Sequence, residues 1–154
     1  MYKMFTLNLP GFQHKIREEN GKTSIYDNLR RKYVRLTPEE WVRQHFVNYL
    51  IEYKDFPPER LVNEAQLVLN GQKKRFDTVL YDKELKPLVI LEFKAPNINI
   101  NQKVFEQITS YNWSLRAHYL IVSNGLSHFC CKMDYLNNKA DFIQEIPEYS
   151  KLVD

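Results

Sequence analysis

The alternation of apolar and polar residues along this chain predicts two helices and five strands in the order α-β-β-β-α-β-β. The first helix follows Thr37-Pro38-Glu39-Glu40, where Thr37 can cap, Pro38 suits the first helical position and Glu40 completes a capping box. Its apolar stripe is predicted to comprise Val42, Phe46, Tyr49, Leu50 and Tyr53. The second helix is expected from Asn101 to about Leu115.

Segments with strand-like patterns account for most of the remaining core. The predicted strands cover residues 61–69, 73–81, 87–94, 118–123 and 126–133. The third is almost wholly apolar up to Glu92, as expected of a central strand that is buried on both faces. Because a helix separates it from strand 118–123, we expect these two strands to pair in parallel.

The flanking segments are predicted to belong to the same single domain. Residues 1–36 form an N-terminal extension with a short hairpin of 12–17 and 22–26, residues 37–133 form the core, and residues 134–154 form a tail. The last part of the tail, from Asp141, is expected to be a short helix or a wrap. The basic stretch from Arg30 to Arg35 fits either a solvated connector or a phosphate contact.

Two turns within the core place three acidic residues in one row. If Asn70-Gly71 is a two-residue hairpin loop, Glu64 lies opposite Asp77. If the next turn is centred between residues 84 and 85, Asp77 lies opposite Glu92. Like charges that are directly opposed on a sheet are destabilising. The row therefore predicts a bound cation, with Lys94 just beyond it.

The chemistry of the row has two interpretations. A cluster of salt bridges with Lys94 or Arg75 is the structural alternative, although one lysine neutralises only one carboxylate. The preferred interpretation is a metal site, because buried carboxylates are costly unless they are paired or bind a metal. Carboxylates without His or Cys favour Mg²⁺, with Mn²⁺ as a substitute. Such an ion polarises a phosphate and lowers the pKa of a bound water, as phosphodiester cleavage requires.

Composition sets the broad class of the protein. The 154 residues, 44% of them hydrophobic, suit one folded domain, and no apolar run is long enough to span a membrane. The N-terminus lacks an apolar signal core, and the adjacent Cys130 and Cys131 are not placed to form a disulfide with each other, so we expect a cytoplasmic protein. One cysteine is expected in the core and the other at the surface. The net charge of +3 permits a polyanionic partner without requiring one.

Several motifs together resemble the PD-(D/E)xK nuclease superfamily. Asp77 followed by Glu92-Phe93-Lys94 resembles its D…ExK motif, and Gln107 with Tyr111 resembles the QxxxY motif of one subset. The segments 36–44, 75–77, 91–96 and 123–125 resemble the N-terminal nuclease domain of the type I restriction enzyme R subunit. The resemblance implies an α/β fold with a restriction-endonuclease-like αβββαβ core, a mixed central sheet flanked by helices, and an N-terminal hairpin extension.

The resemblance also implies roles for individual residues. Asp77, Glu92 and the Phe93 backbone carbonyl would bind Mg²⁺, and Lys94 would position the attacking water. Glu64 would be an additional acidic residue of the site. In the same site, Gln107 and Tyr111 would brace the lysine or contact DNA, although Tyr111 also fits a core aromatic. Glu40 and Arg43 are left out, since capping explains Glu40 and an i,i+4 pair with Glu39 explains Arg43.

The predicted function is Mg²⁺-dependent hydrolysis of DNA phosphodiester bonds. DNA is the expected partner, with restriction-modification or helicase subunits as candidate partners and no membrane. A non-catalytic nucleic-acid-binding or assembly module that retains the nuclease fold is the first alternative. An unrelated α/β domain whose acidic row is a network of salt bridges is the second.

Overall fold

A computed structural model of the protein describes residues 5–152, so residues 1–4 of the N-terminal extension and 153–154 of the tail lie outside it. The chain forms a three-stranded sheet, a six-stranded sheet, two long helices and a short C-terminal helix. The elements are β1 (Ile16–Glu19), β2 (Lys22–Asp27), β3 (Lys32–Arg35), α1 (Pro38–Lys54), β4 (Leu61–Leu69), β5 (Gln72–Tyr81), β6 (Pro87–Phe93), α2 (Gln102–Leu115), β7 (Tyr119–Ser123), β8 (His128–Asp134), β9 (Lys139–Ile143) and α3 (Tyr149–Leu152).

The central sheet has the strand order β4-β5-β6-β7-β8-β9. Strands β6 and β7 are parallel and are connected through α2, whereas every other neighbouring pair is antiparallel. The predicted α/β fold with a mixed central sheet is therefore confirmed. No helix within residues 5–152 has the length and apolar character needed to cross a bilayer.

Two apolar layers cover the faces of this sheet. On one face, Val42, Phe46 and Leu50 of α1 pack with sheet residues such as Val89 and Leu91. On the other face, Phe105 and Ile108 of α2 pack with a second set of sheet residues. That second set includes Val79, Ile90, Leu120 and Val122. Because β6 contributes to both layers, it is buried on both faces, as its apolar sequence predicts.

The two hairpin turns set the register that the sequence predicts. Asn70 and Gly71 both have positive φ, 53° and 78°, as a tight two-residue loop between twisted strands requires. In the second hairpin, Tyr81 pairs with Pro87 but Leu80 pairs with Val89, so a bulge lies beside the turn. The bulge shifts the register by one residue, and the pairs nearer the site follow the predicted alignment.

The N-terminal sheet and the tail differ from the sequence-based expectation. The predicted hairpin is present but begins at Ile16 rather than at Phe12, and the basic stretch contributes a third strand, β3. In the tail, residues 139–143 form β9, an edge strand that the sequence analysis missed. The expected short C-terminal helix is present as α3.

Burial around α1 and in β8 also corrects two expectations. Tyr53 of the predicted apolar stripe is 58% exposed, whereas the polar Glu40, Arg43 and Gln44 are buried. Both cysteines are buried, so neither lies at the surface. Cys130 belongs to the layer under α1 and Cys131 to the layer under α2.

Candidate active site where β5 and β6 separate

Asp77 and Glu92 occupy the position where regular pairing between β5 and β6 ends. The last ladder pair is Thr78 with Leu91, and the same register places Asp77 opposite Glu92. At this point, hydrogen bonds between side-chain carboxylates and backbone N–H groups replace the backbone-to-backbone bonds of the ladder. The Asp77 carboxylate accepts a hydrogen bond from the Phe93 N–H at 2.8 Å, and the Glu92 carboxylate accepts one from the Asp77 N–H at 3.4 Å. The two carboxyl groups are thus held in one small region by the opposing backbones.

Glu92 experiences a strongly unfavourable environment for a charge. Burial, the negative charge of Asp77 and a side-chain hydrogen bond with Asp77 raise the pKa of Glu92 to about 9, and the positive charge of Lys94 offsets only part of this rise. Lys94 is half-buried, and its backbone N–H donates to the Ser123 carbonyl at 2.9 Å. With both carboxyls ionised, the pair would have more negative charge than its neighbours neutralise, so Glu92 keeps its proton up to a higher pH.

Glu64 interrupts the ladder between β4 and β5. Asn63 pairs with Thr78 and Ala65 pairs with Phe76, so the register is the same on both sides of the interruption. Glu64 itself has a left-handed backbone with φ of 56°. For a residue other than glycine such a conformation costs about 1–3 kcal/mol, and it commonly occurs at functional sites. The register therefore places Glu64 across from Asp77 as predicted, but no regular ladder pair forms there.

Arg43 of α1 binds the backbone and side chains around this interruption. Its guanidinium donates to the Asp77 carbonyl at 2.6 Å and to the Glu64 carboxylate at 2.9 Å. It also forms two hydrogen bonds with the Glu40 carboxylate, at 2.9 and 2.6 Å. Burial alone would lower the pKa of Arg43, but the hydrogen bonds and charges of Glu40 and Glu64 raise it. Arg43 therefore remains charged and fixes the backbone of Asp77.

Glu40 connects Arg43 to the N-terminal sheet. Its carboxylate also accepts hydrogen bonds from Arg30 at 2.8 Å and from Gln44 at 2.9 Å. Burial alone would raise the pKa of Glu40, but the hydrogen bonds and charge of Arg43, with further bonds from Gln44 and Arg30, lower it. The Glu40 side chain is thus an ionised partner of two arginines.

Asp27 extends the same network into β4 and β5. Its carboxylate accepts hydrogen bonds from the Arg30 side chain and from Asn63, the latter at 2.9 Å, and Asn63 in turn accepts one from the Thr78 hydroxyl at 2.7 Å. Burial would raise the pKa of Asp27, but the bonds from Asn63 and Arg30 lower it. A continuous polar chain therefore links the N-terminal sheet to the strands beside the acidic pair.

The side-chain partners predicted for Glu40 and Arg43 are wrong. Thr37 does cap α1, accepting from the Glu40 N–H at 3.0 Å, but the Glu40 side chain binds Arg43, Arg30 and Gln44. Arg43 pairs with Glu40 and Glu64 rather than with Glu39. A signal was available, because residues 40, 43 and 44 share one helix face beside the apolar stripe. The two residues belong to the surroundings of the site.

A cleft of about 320 Å³ opens beside these groups. It lies between β3, the first turn of α1 and the interrupted part of β4 and β5. Its lining includes Arg35, Thr37, Arg43, Glu64, Asp77 and Phe93. The cleft is large enough to admit part of a substrate against Asp77 and Glu64.

Gln107 and Tyr111 lie on α2, and neither has a hydrogen bond to Asp77, Glu92 or Lys94 among the residues that the structure describes. Gln107 is exposed. The ammonium group of Lys74 sits 3.0 Å from the centroid of the half-buried Tyr111 ring. Their predicted contribution to the site stays a prediction.

The acidic pair, rather than the whole row, fits a divalent cation. Within residues 5–152, no cluster of three or more His, Cys, Asp or Glu side chains is arranged to hold a metal. Glu64 is paired with Arg43, whereas ionisation of both Asp77 and Glu92 would leave a negative charge that Lys94 offsets only in part. Mg²⁺ often takes only one or two protein carboxylates and fills its other positions with water or substrate. The Phe93 carbonyl is a third oxygen in the same segment.

Comparisons with known proteins agree with this architecture. Residues 38–147 match the profile of the family described as "Type I restriction enzyme R protein N terminus (HSDR_N)". The fold is similar to a fragment structure described as an HsdR subunit of a type I restriction enzyme from Vibrio vulnificus YJ016, with a TM-score of 0.52 and 18% sequence identity. The similarity covers 77% of this chain and 25% of that one, so this chain spans about a quarter of that protein. A comparison with curated proteins finds no significant match.

Proposed function

Since the chain belongs to the family of type I restriction enzyme R protein N termini, we propose that it is a metal-dependent DNA nuclease domain. The observation that carries the proposal is the pairing of Asp77 with Glu92 at the separation of β5 and β6, beside Lys94. Two crowded carboxylates with insufficient neutralising charge are arranged for a cation and are costly without one.

Each residue of the pair has a distinct task in this proposal. Asp77, Glu92 and the Phe93 carbonyl would hold Mg²⁺, with Mn²⁺ as a substitute. The ion would supply Lewis-acid polarisation of the phosphate. Because Glu92 has a pKa of about 9, it carries a proton at neutral pH and must release it to become a ligand. Loading of the site is therefore expected to release a proton.

Lys94 is the proposed positioning group for the attacking water. Its ammonium would donate a hydrogen bond to that water and stabilise negative charge that develops on the phosphate oxygens. The water would attack phosphorus and lose a proton to solvent, while the bond from phosphorus to the leaving sugar oxygen breaks and that oxygen takes a proton from solvent. Arg43 holds the Asp77 carbonyl and Glu64, and so acts through the backbone of the site rather than on the substrate.

The family also suggests the setting of this activity. We infer that the domain works on DNA together with other subunits of a restriction-modification complex. The non-catalytic alternative, a domain that only binds nucleic acid, shares this setting and differs in having no cleavage product.

Cleavage of supercoiled plasmid with Mg²⁺ or Mn²⁺ tests the proposal. We expect Asp77→Asn and Lys94→Ala to abolish cleavage, because the first removes a ligand charge and the second removes the group that orients water. Asp141→Asn and Lys132→Ala are the matched controls, since both residues are exposed on β9 and β8 away from the site. Circular dichroism checks that each variant is folded.

Two results would count against the proposal. Equal cleavage by Asp77→Asn, Lys94→Ala and the controls would refute this assignment of the site. Salt-sensitive DNA binding by the parent chain without any metal-dependent product would instead favour the non-catalytic alternative.

A further inference from the structure

The hairpin formed by the outer halves of β4 and β5 has a concentrated positive charge. Residues 65–76 contain Lys73, Lys74 and Arg75 and no acidic residue. The whole chain has a net charge of only +3, so this short segment alone carries as much positive charge as the entire protein has in excess. The segment begins at the ladder pair of Ala65 and Phe76, directly beside the interruption at Glu64 and Asp77.

One face of this hairpin is packed against α2. Leu67 and Phe76 lie against the apolar layer under that helix, and Phe76 meets the Tyr111 ring edge-on with ring centroids 6.5 Å apart. Lys74 covers the same Tyr111 ring. These contacts attach this face of the hairpin to α2.

The opposite face has no such cover. Gln66 pairs with Arg75 and Val68 pairs with Lys73, and all four residues are exposed. Val68 is 67% exposed, which shows how little of this face is packed. Lys73 and Arg75 are two residues apart on one strand, so their side chains project from the same face about 7 Å apart.

This basic face continues into the cleft of the candidate active site. The Arg75 guanidinium lies 3.9 Å from the carboxylate of Glu64, which lines the cleft. On the other side of the cleft, the exposed Arg35 of β3 also contributes to the lining. Cations therefore border the acidic centre on two sides.

We propose that the exposed hairpin face, through Lys73 and Arg75, binds the phosphate backbone of duplex DNA and places it across the cleft. The inference rests on the proposed function, in which DNA is the polymer that the site acts on. Charge complementarity identifies the ligand, since duplex DNA presents a dense row of phosphates. These contacts position the duplex without reading its sequence.

Binding of a mixed-sequence duplex, measured by fluorescence anisotropy in EDTA, tests the hairpin separately from catalysis. The probe is a labelled duplex of about two helical turns, titrated with the full 154-residue chain over a range of salt concentrations. The double variant K73Q/R75Q removes two cations from the hairpin. The matched control, K83Q/K86Q, removes two exposed lysines from the turn at the far end of β5.

We expect K73Q/R75Q to bind about tenfold more weakly near physiological salt, with a slope of log affinity against log salt reduced by about 2. The K83Q/K86Q control should bind like the parent chain. Thermal unfolding of both double variants should match the parent, since all four side chains are exposed.

The possible failures separate the two proposals. Equal binding by K73Q/R75Q and K83Q/K86Q, with normal plasmid cleavage, would overturn the hairpin proposal and leave the proposed function standing. Weaker binding by K73Q/R75Q alone, with no cleavage by the parent chain, would support the hairpin and overturn the nuclease. A parent chain that binds no duplex at about 50 mM salt would overturn both.

Discussion

Two groups of acidic side chains lie within the same part of this protein, and they differ in the cations around them. Glu40 is buried with Arg43 and Arg30, and Asp27 with Asn63 and Arg30, and these partners lower the pKa of both carboxyls despite burial. Burial and the facing charge of Asp77 raise the pKa of Glu92 to about 9, and the charge of Lys94 offsets only part of this rise. The first group is therefore stable as charged carboxylates, whereas ionisation of Glu92 in the second is opposed, and it is this second pair that we propose as the metal site.

The comparison also explains the place of Glu64. It lies in the register row with Asp77 but belongs with the neutralised group, because Arg43 reaches its carboxylate at 2.9 Å. Arg43 therefore separates the row into Glu64, which it neutralises, and the pair of Asp77 and Glu92, whose side chains it does not contact. A sequence motif of three aligned acids does not reveal this division, which depends on which carboxylate an arginine from α1 contacts.

Removing Arg43 should cause the largest change in stability, because it takes the main cation away from the neutralised group of carboxylates. Arg43→Ala leaves Glu40 buried without its main partner, and we expect a loss of about 3–5 kcal/mol in the free energy of unfolding. Arg43→Lys should lose less but still a large part, because an ammonium cannot form the paired bonds to Glu40. Urea denaturation measures both.

Arg17→Ala is the matched control for Arg43. Arg17 makes an exposed ion pair with Glu19 at 3.6 Å, so its removal should change the free energy of unfolding by less than about 1 kcal/mol. Similar losses for the two arginine variants would contradict the structural role of the Arg43 network.

Neutralising Glu92 should change stability in the opposite direction, so that the free energy of unfolding increases. Its folded pKa of about 9 lies above the ordinary 4.5, so the folded protein holds an extra proton between these values and stability falls as pH rises through this range. Glu92→Gln removes that loss. We therefore expect the variant to be more stable than the parent by about 1–3 kcal/mol at pH 7, with the difference vanishing below about pH 4.5.

Chemical denaturation at several pH values measures this difference. Glu84→Gln is the control, because Glu84 is exposed in the β5–β6 turn and is 3.5 Å from Lys86. A pH-independent difference, or a destabilised Glu92→Gln variant, would show that folding does not raise the pKa of Glu92.

Adding a divalent cation should cause the smallest change in stability, and it should depend on the pair of Asp77 and Glu92. Mn²⁺ at about five times its dissociation constant stabilises a folded protein by about 1 kcal/mol, or a few degrees in Tm. We expect this shift in the parent chain and in Lys94→Ala, but not in Asp77→Asn. A shift of the same size in Asp77→Asn would place the cation elsewhere.

Local sequence rules predicted much of the fold and the alignment of the acids. Asn70-Gly71 determined the first register, and the apolar third strand identified the centre of the sheet. The strand β9 was missed because its residues are mostly exposed and show little apolar alternation. The left-handed backbone at Glu64 also gives no sequence signal, since glutamate is not a residue that favours positive φ.

The choice of partner for Arg43 shows where local rules fail. A neighbour at Glu39 satisfies the helix spacing rule, but the guanidinium instead contacts the Asp77 carbonyl, 34 residues away in the chain. A buried arginine gains more from several fixed acceptors than from one exposed carboxylate. Such long-range selection requires the folded arrangement.

The adjacent cysteines of β8 provide separate reporters of the two sides of the sheet. Cys130 lies in the layer under α1 and Cys131 in the layer under α2, and burial raises the pKa of each thiol to about 12. Each thiol therefore reacts with an alkylating reagent only after its own layer opens. In single-cysteine variants, the labelling rate would time the loosening of each helix from the sheet independently.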